Sequence, residues 1–420
     1  MSVATWATIC LALAVFHTLI VNRINRWAKS FPEGSVGENV LHMLGEVEVV
    51  FGLWAAIFIG IMSFIAGGAE SLKYLNDLSF REPWFVFVVM GICSTQPVVV
   101  FAKKVILKFA RWLPFQQPFA FLISLFTIGP LMGSFITEPA AMTLSAILLA
   151  EVIFENQNIS ARLKYTFLGL LFVNISIGGT LTHFAAPPVL MVAGPWNWDL
   201  MFMLTHFGWR AVISCILSTA IILLRDRKEI ASIQYKEVTA ERVPLWVMML
   251  HVLFLGLAVL ASHHLVLLLP IFLFFLGIYS VTREFQNGIR LREAMLVGFF
   301  LGGLVVLGGP QGWWLTPLLQ KLDYREMFLG VTALTAFTDN AALTYLGSLV
   351  TGLDDVAKYS LVAGSVVGGG LTVIANAPNP AGYGILNKYF GEVGINPLGL
   401  LRGALLPTLI AFILFAVRIM

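Results

Sequence analysis

Thr137-Glu138-Pro139-Ala140-Ala141-Met142-Thr143 and Thr338-Asp339-Asn340-Ala341-Ala342-Leu343-Thr344 are two copies of one short phrase, each placing a carboxylate inside an apolar stretch, about half a chain apart. Composition supplies the setting. Apolar residues make up 58% of the 420-residue chain and charged residues 12%, outside the range of a soluble domain. At roughly 20 residues per spanning helix there is room for about ten to twelve membrane segments and little else. The chain reads as an all-α polytopic membrane protein built from two repeats with an ionisable site in each. Its net charge of +3 therefore carries no implication of nucleic acid, because Lys and Arg in such a chain report orientation. Cys10, Cys93 and Cys215 fall in apolar runs with no CxxC or His/Cys cluster nearby, so buried free thiols are expected, and neither a disulfide nor zinc.

Apolar runs at 3–22, 43–66, 83–102, 165–195, 205–224, 245–262, 264–281, 294–309, 359–387 and 398–417 give ten candidate transmembrane helices. Two regions fit poorly as single spans, 117–155 and 327–351, and each holds one acidic phrase. Each is predicted to be a re-entrant hairpin of two half-length helices meeting at a polar turn. The first run has its basic residues, Arg23, Arg26 and Lys29, after it rather than before, which predicts a retained helix and not a cleaved signal. With those three residues in the cytoplasm and each hairpin returning to its own side, 19 of the 26 basic residues fall inside. The N-terminus is then outside. Residues 1–224 and 244–420 follow the same order, three spans, a hairpin, a broken span and a final span, but start on opposite sides. They are predicted to be inverted-topology repeats, a recurrent transporter plan, joined by a cytoplasmic linker at 225–243.

In the first hairpin, Gly129, Pro130 and Gly133 are expected to loosen the helix. Pro139 restarts it at a position where its missing N–H costs nothing. Glu138 thus sits at a helix start, whose positive end stabilises a carboxylate. Asp339, with Thr338 and Asn340, occupies the equivalent turn. An intramembrane carboxylate costs about 2.5–3.5 kcal/mol on insertion scales, so it should face a cavity or a partner. A proton and a cation would compete for it, the minimum chemistry of an antiporter; the bland alternative is a carboxylate that only caps its half-helix. Glu151 and Glu155, the former about 20 Å of helix beyond Glu138, read as solvated helix ends. Each hairpin is followed by glycines and prolines within a long apolar run: Gly178-Gly179-Thr180-Leu181-Thr182-His183 into Pro187-Pro188, and Gly368-Gly369-Gly370-Leu371-Thr372 into Asn376, Pro378, Asn379 and Pro380. These predict unwound segments whose carbonyls, with Thr182, Thr372, Asn376 and Asn379, are hard ligands suited to Na⁺. The alternative is a kinked helix packed through glycine. His183 is a candidate proton relay or a packing histidine. Glu46 and Glu48, with His42 a turn earlier, read as boundary residues of the second span. Asn158-Ile159-Ser160 and Asn174-Ile175-Ser176 fit the glycosylation pattern, but at the inner face and within a span, so neither is taken as a glycan site.

Two of these features, the Asp339-Asn340 pair at a hairpin tip and the break Asn-Ile-Ser-Ile-Gly-Gly-Thr-Leu-Thr from Asn174 to Thr182, resemble the ion-transporter superfamily, and within it the NhaD-type sodium/proton antiporters. The resemblance implies two hairpins and two broken helices around one central ion site, often in a homodimer, in a bacterial inner membrane. Carried over by position, Asp339, Asn340, Thr338, Glu138, Thr137, Thr182, Thr372 and Asn376 would surround the ion, with Na⁺ held by Asp339, Asn340, Thr182 and Asn376. Glu138-Pro139 departs from the pattern, since a second Asp-Asn would be expected there. The Ser-Asn-Thr tips of the carboxylate-transporting branch are absent from both copies, so cations are favoured over di- or tricarboxylates.

The expected activity is Na⁺(Li⁺)/H⁺ antiport with no cofactor beyond the transported ions, and with membrane lipid and small inorganic cations as partners. An anion or oxyacid carrier of the same superfamily, for arsenite or an organic acid, is the alternative. An intramembrane enzyme is a remote one, because neither a Gly-x-Gly-Asp nor a Gly-x-Ser-Gly motif occurs.

Overall fold

The computed structural model describes residues 2–155, 159–262 and 264–419, and among these every regular element is helical. The first half runs α1 (Val3–Ala28), α2 (Val36–Leu44), α3 (Val47–Ala66), α4 (Gly68–Asp77), α5 (Arg81–Cys93), α6 (Gln96–Trp112), α7 (Phe119–Ile136), α8 (Glu138–Leu149), α9 (Ala161–Gly178), α10 (Pro187–Ala193), α11 (Leu200–Met203) and α12 (Trp209–Arg225). After α13 (Arg227–Ala231) the second half runs α14 (Leu245–Leu260), α15 (Leu265–Val281), α16 (Leu291–Gly308), α17 (Gly312–Leu319), α18 (Tyr324–Thr335), α19 (Asn340–Ser348), α20 (Asp355–Gly368), α21 (Asn379–Leu386) and α22 (Pro397–Ala416). Among the described residues, seven stretches are long and apolar enough to cross a membrane, eight if the bent pair α5 and α6 is one span, and α14 and α15 are shorter apolar helices. The chain is an integral membrane protein.

The order of elements repeats in the two halves, and so does their packing. α8 lies against α21, and α19 lies against α10, so the second arm of each hairpin meets the helix that follows the other half's break. That reciprocity is what a two-fold between inverted repeats requires. The linker gathers the basic surface on one side: Lys103 pairs with Glu241 at 3.1 Å, Arg111 with Glu237 at 3.2 Å, and Arg162 with Asp226 at 2.7 Å. Glu155 is exposed, 4.0 Å from Lys236, whereas Glu151 lies half-buried in a π-helical turn over Ala150–Phe154. Asn158 lies outside the described residues, and Asn174 is fully buried.

Three local expectations are corrected. The run 83–102 is not one straight span: it bends by 70° between α5 and α6. Pro97 cannot donate a backbone bond in the first turn of α6, and Thr95 stands extended at its cap. The second run is also interrupted. His42 lies in the last turn of the separate helix α2 beside Glu38, and Glu46 is the extended residue before α3, paired with Arg292. Finally, the first hairpin's leading arm is not half-length. α7 is 18 residues long and passes through Pro130 without stopping. The glycines there serve close packing instead. A Cβ on Gly129 would come within 2.7 Å of Ser145 Oγ, and one on Gly133 within 3.4 Å of Ala141. In the second hairpin both arms are short, 12 and 9 residues.

α9 and α22 cross with backbone touching backbone, since a Cβ on Gly169 would overlap Gly403 and Ala404. Close approach through small residues is the usual basis of helix association in lipid. Gly169→Leu is expected to destabilise the protein by about 3 kcal/mol or more, read as a lower melting temperature in detergent. Gly256→Leu, where no atom lies within 4 Å of the new Cβ, should leave it unchanged.

Candidate functional site

The two hairpin tips and the two helix breaks meet inside the protein. α7 stops at Thr137, whose φ of 70° and ψ of 149° lie in a region essentially reserved for glycine. Such a conformation costs about 1–3 kcal/mol and persists only where the surroundings impose it. It turns the chain so that Glu138 opens α8 with its side chain fully buried. Across the site Asp339 caps α19, its Oδ1 accepting from the Ala341 and Ala342 N–H groups at 2.8 and 3.2 Å.

Both breaks form where the glycines and prolines predict. α9 ends at Gly178, a single 3₁₀ turn covers Gly179–Leu181, and the chain is extended at Thr182 before α10 begins at Pro187. α20 ends at Gly368 and α21 begins at Asn379. Glycine is needed here because the carboxyl and amide groups occupy the side-chain volume: a Cβ on Gly179 would overlap the Glu138 carboxyl, and one on Gly369 would overlap Ser176 and crowd Asn340.

Asn376, in the second break, donates from Nδ2 to Glu138 Oε2 at 2.9 Å, joining one half's hairpin to the other half's break. The Asn340 N–H donates to Ala375 C=O at 3.1 Å, so the second tip is tied to the same segment. Asn379 donates to the Gly369 and Thr372 carbonyls at 2.7 and 2.8 Å. Among the described residues, four buried oxygens of this cluster accept nothing: Glu138 Oε1, Asn340 Oδ1, Asn376 Oδ1 and Asn379 Oδ1. No Lys or Arg forms an ion pair with Glu138 or Asp339 there. Buried polar atoms are normally satisfied, and a buried charge is normally paired. A set of carboxylate and amide oxygens lacking both is suited to a small hard cation or to protons.

The predicted ligands divide into two groups. Asp339, Asn340, Glu138 and Asn376 converge on the cluster. Thr182 and Thr372 commit their hydroxyl protons elsewhere, to Ser134 C=O at 2.7 Å and Ala336 C=O at 2.9 Å. Each therefore braces its break against the last turn of a hairpin arm. Thr137 is buried and Thr338 half-buried. His183 lines a cavity of about 20 Å³ beside the Arg81–Glu82 ion pair.

The motif from Asn174 to Thr182 is mostly stitching. Asn174 donates to Phe126 C=O at 2.8 Å, and Ser176 to Val366 C=O at 2.7 Å. Ser134 donates to Gly178 C=O and accepts from the Leu181 N–H. Glu48, read from sequence as a boundary residue, lies half-buried in the first turn of α3.

A family model described as "Putative Na+/H+ antiporter" matches residues 2–418. No curated relative matches the chain. Among solved structures, the YdaH transporter of Alcanivorax borkumensis, reported to have an unusual topology, is similar with a TM-score of 0.52 at 13% identity, over 89% of this chain and 96% of that one. At that identity the likeness concerns the fold.

Proposed function

The chain belongs to this Na⁺/H⁺ antiporter family, and on that premise we propose that it exchanges Na⁺, and Li⁺, for protons at the site shared by Asp339, Glu138, Asn340, Asn376 and Asn379. The observation that carries the reading is the group of four buried, unaccepting oxygens, one of them on Glu138 and one on the Asn340 next to Asp339, with no basic partner for either carboxyl among the described residues. Ionised and without a counter-charge, such carboxylates would cost several kcal/mol each. Protons relieve that cost in one state and a cation relieves it in the other, so the two compete and are never bound together. A substrate anion would meet like charge at both tips.

Alternating access follows from the repeat. The hairpin tips and breaks form one cross-linked centre, and exchanging the packing of one half for that of the other would open it first to one side and then to the opposite side. The linker is proposed to lie in the cytoplasm, with the protein in a bacterial inner membrane and Na⁺ moving outward as protons enter.

Purified protein in liposomes with a trapped pH dye tests this. Na⁺ and Li⁺ are expected to collapse an imposed pH gradient, and K⁺ to do so far less. A response to arsenite or an organic acid, with none to Na⁺ or Li⁺, would overturn the cation assignment in favour of an anion carrier.

A further inference from the structure

Away from the ion site, three guanidinium groups converge where α9, α12 and α22 meet on the linker side. Arg162, Arg225 and Arg402 line a cavity of about 500 Å³ together with Tyr165 and Thr166. A second cavity of about 430 Å³ adjoins it, sharing Arg162 and Arg225 and extending to Arg227 and Lys228. Two of the three guanidiniums are fixed. Arg162 and Arg225 grip Asp226 from either side at 2.7 and 2.8 Å, Arg162 also reaches Glu229 at 3.2 Å, and Arg225 donates to Thr166 at 3.2 Å. Burial alone would raise the Asp226 carboxyl, but hydrogen bonds from Arg225 and Arg162 outweigh it and hold the group below its usual range. Asp226 and Glu229 therefore answer Arg162 and Arg225. Arg402 is answered by nothing: among the described residues it has neither an ion pair nor a hydrogen bond, and it is exposed.

The position of Arg402 identifies the anion. It lies in the second turn of α22, a helix long and apolar enough to span the membrane, where a long cationic side chain reaches the headgroup layer. Its face of α22 continues away from the cavity as an exposed apolar stripe, Leu405, Leu409 and Ile413, spaced three and four residues apart. A soluble oxyanion has no use for such a stripe, whereas a lipid has an acyl chain to lay along it. Basic pockets between spanning helices on the cytoplasmic side are the usual recognition site for anionic headgroups.

We propose that this pocket binds the phosphodiester headgroup of an anionic phospholipid, with Arg402 as the free cationic contact, the Arg162–Asp226–Arg225 network as a rigid wall, and the Leu405–Ile413 stripe as the bed of an acyl chain. The lipid would join α22 to the ends of α9 and α12, and so support the helix that carries the first break.

Thermal unfolding of the full chain, purified and delipidated in detergent, tests the proposal independently of transport. Cardiolipin or phosphatidylglycerol is expected to raise the melting temperature by several degrees, and phosphatidylcholine is not. Arg402→Gln should keep the lipid-free melting temperature and lose the gain, with Arg402→Lys retaining part of it. Native mass spectrometry should show anionic lipid held by the parent protein and released by the variant. A full gain from inorganic phosphate alone would replace the lipid by a soluble oxyanion and overturn the proposal. Equal gains in the parent protein and Arg402→Gln would overturn it as well.

Discussion

Asp339→Asn is expected to abolish Na⁺- and Li⁺-driven proton movement, bringing the dye signal to that of protein-free liposomes, while the protein remains folded. Both halves of that expectation come from the geometry of one side chain. Asp339 Oδ1 accepts from the N–H groups of Ala341 and Ala342 and so caps α19. Asparagine caps a helix about as well as aspartate, and its carbonyl can take the same two bonds. The substitution therefore keeps the local fold and removes only the charge. Asp339→Ala does both, adding about 0.5–2 kcal/mol of lost capping, and should melt at a lower temperature than Asp339→Asn. The pair separates the two readings of this residue. If Asp339 merely capped α19, Asp339→Asn would transport normally and Asp339→Ala would be impaired by instability. Retained exchange in Asp339→Asn would remove it from the ion site.

The features legible in the sequence are those that a single chain segment decides for itself. The breaks at Gly178–Thr182 and Gly368–Thr372 could be read because consecutive glycines with prolines downstream weaken a helix within one segment, although α7, which carries Gly129-Pro130 without stopping, shows that a single such pair does not suffice. The tips at Glu138 and Asp339 could be read because a carboxylate in an apolar run needs a reason. The bend between α5 and α6 carried a signal of the same kind, Ser94-Thr95-Gln96-Pro97, but the apolar residues on either side, up to Cys93 and from Val98, merge with it into one run of spanning length. Other features depend on partners distant in sequence. Asn376 and Glu138 are 238 positions apart, and their hydrogen bond is fixed by tertiary packing. Thr182 and Thr372 could be recognised as polar groups at membrane depth, but only the structure shows a carbonyl within reach of each hydroxyl proton. Gly129 and Gly133 show the same limit in reverse. A glycine in an apolar helix can loosen it or let another helix come close, and the choice rests on what lies opposite, here Ser145 and Ala141.

Glu138→Gln is expected to slow exchange at least about tenfold and, more tellingly, to change its response to membrane potential. Glu138 is fully buried, has Asn376 as its hydrogen-bond donor, and keeps one oxygen with no partner. Glutamine fits the same space beside Gly179, can still accept from Asn376 through its carbonyl, and can offer its amide to the unaccepting oxygens nearby. Folding should survive, and only the titrating charge is lost. With both carboxyls active, one Na⁺ displaces two protons and each cycle moves one net charge. With Asp339 alone, one Na⁺ displaces one proton and the cycle is neutral. A charge crossing the membrane is worth about 2.3 kcal/mol per 100 mV, and each 1.4 kcal/mol is tenfold in an equilibrium ratio. The parent protein should therefore hold a Na⁺ gradient roughly 50-fold steeper at a 100 mV potential than at none, whereas Glu138→Gln should show no such dependence. The measurement is Na⁺-driven proton flux in liposomes clamped with K⁺ and valinomycin. Unchanged flux, with no potential dependence in either protein, would make Glu138 a structural element of the hairpin and leave Asp339 as the single titrating carboxylate of the site.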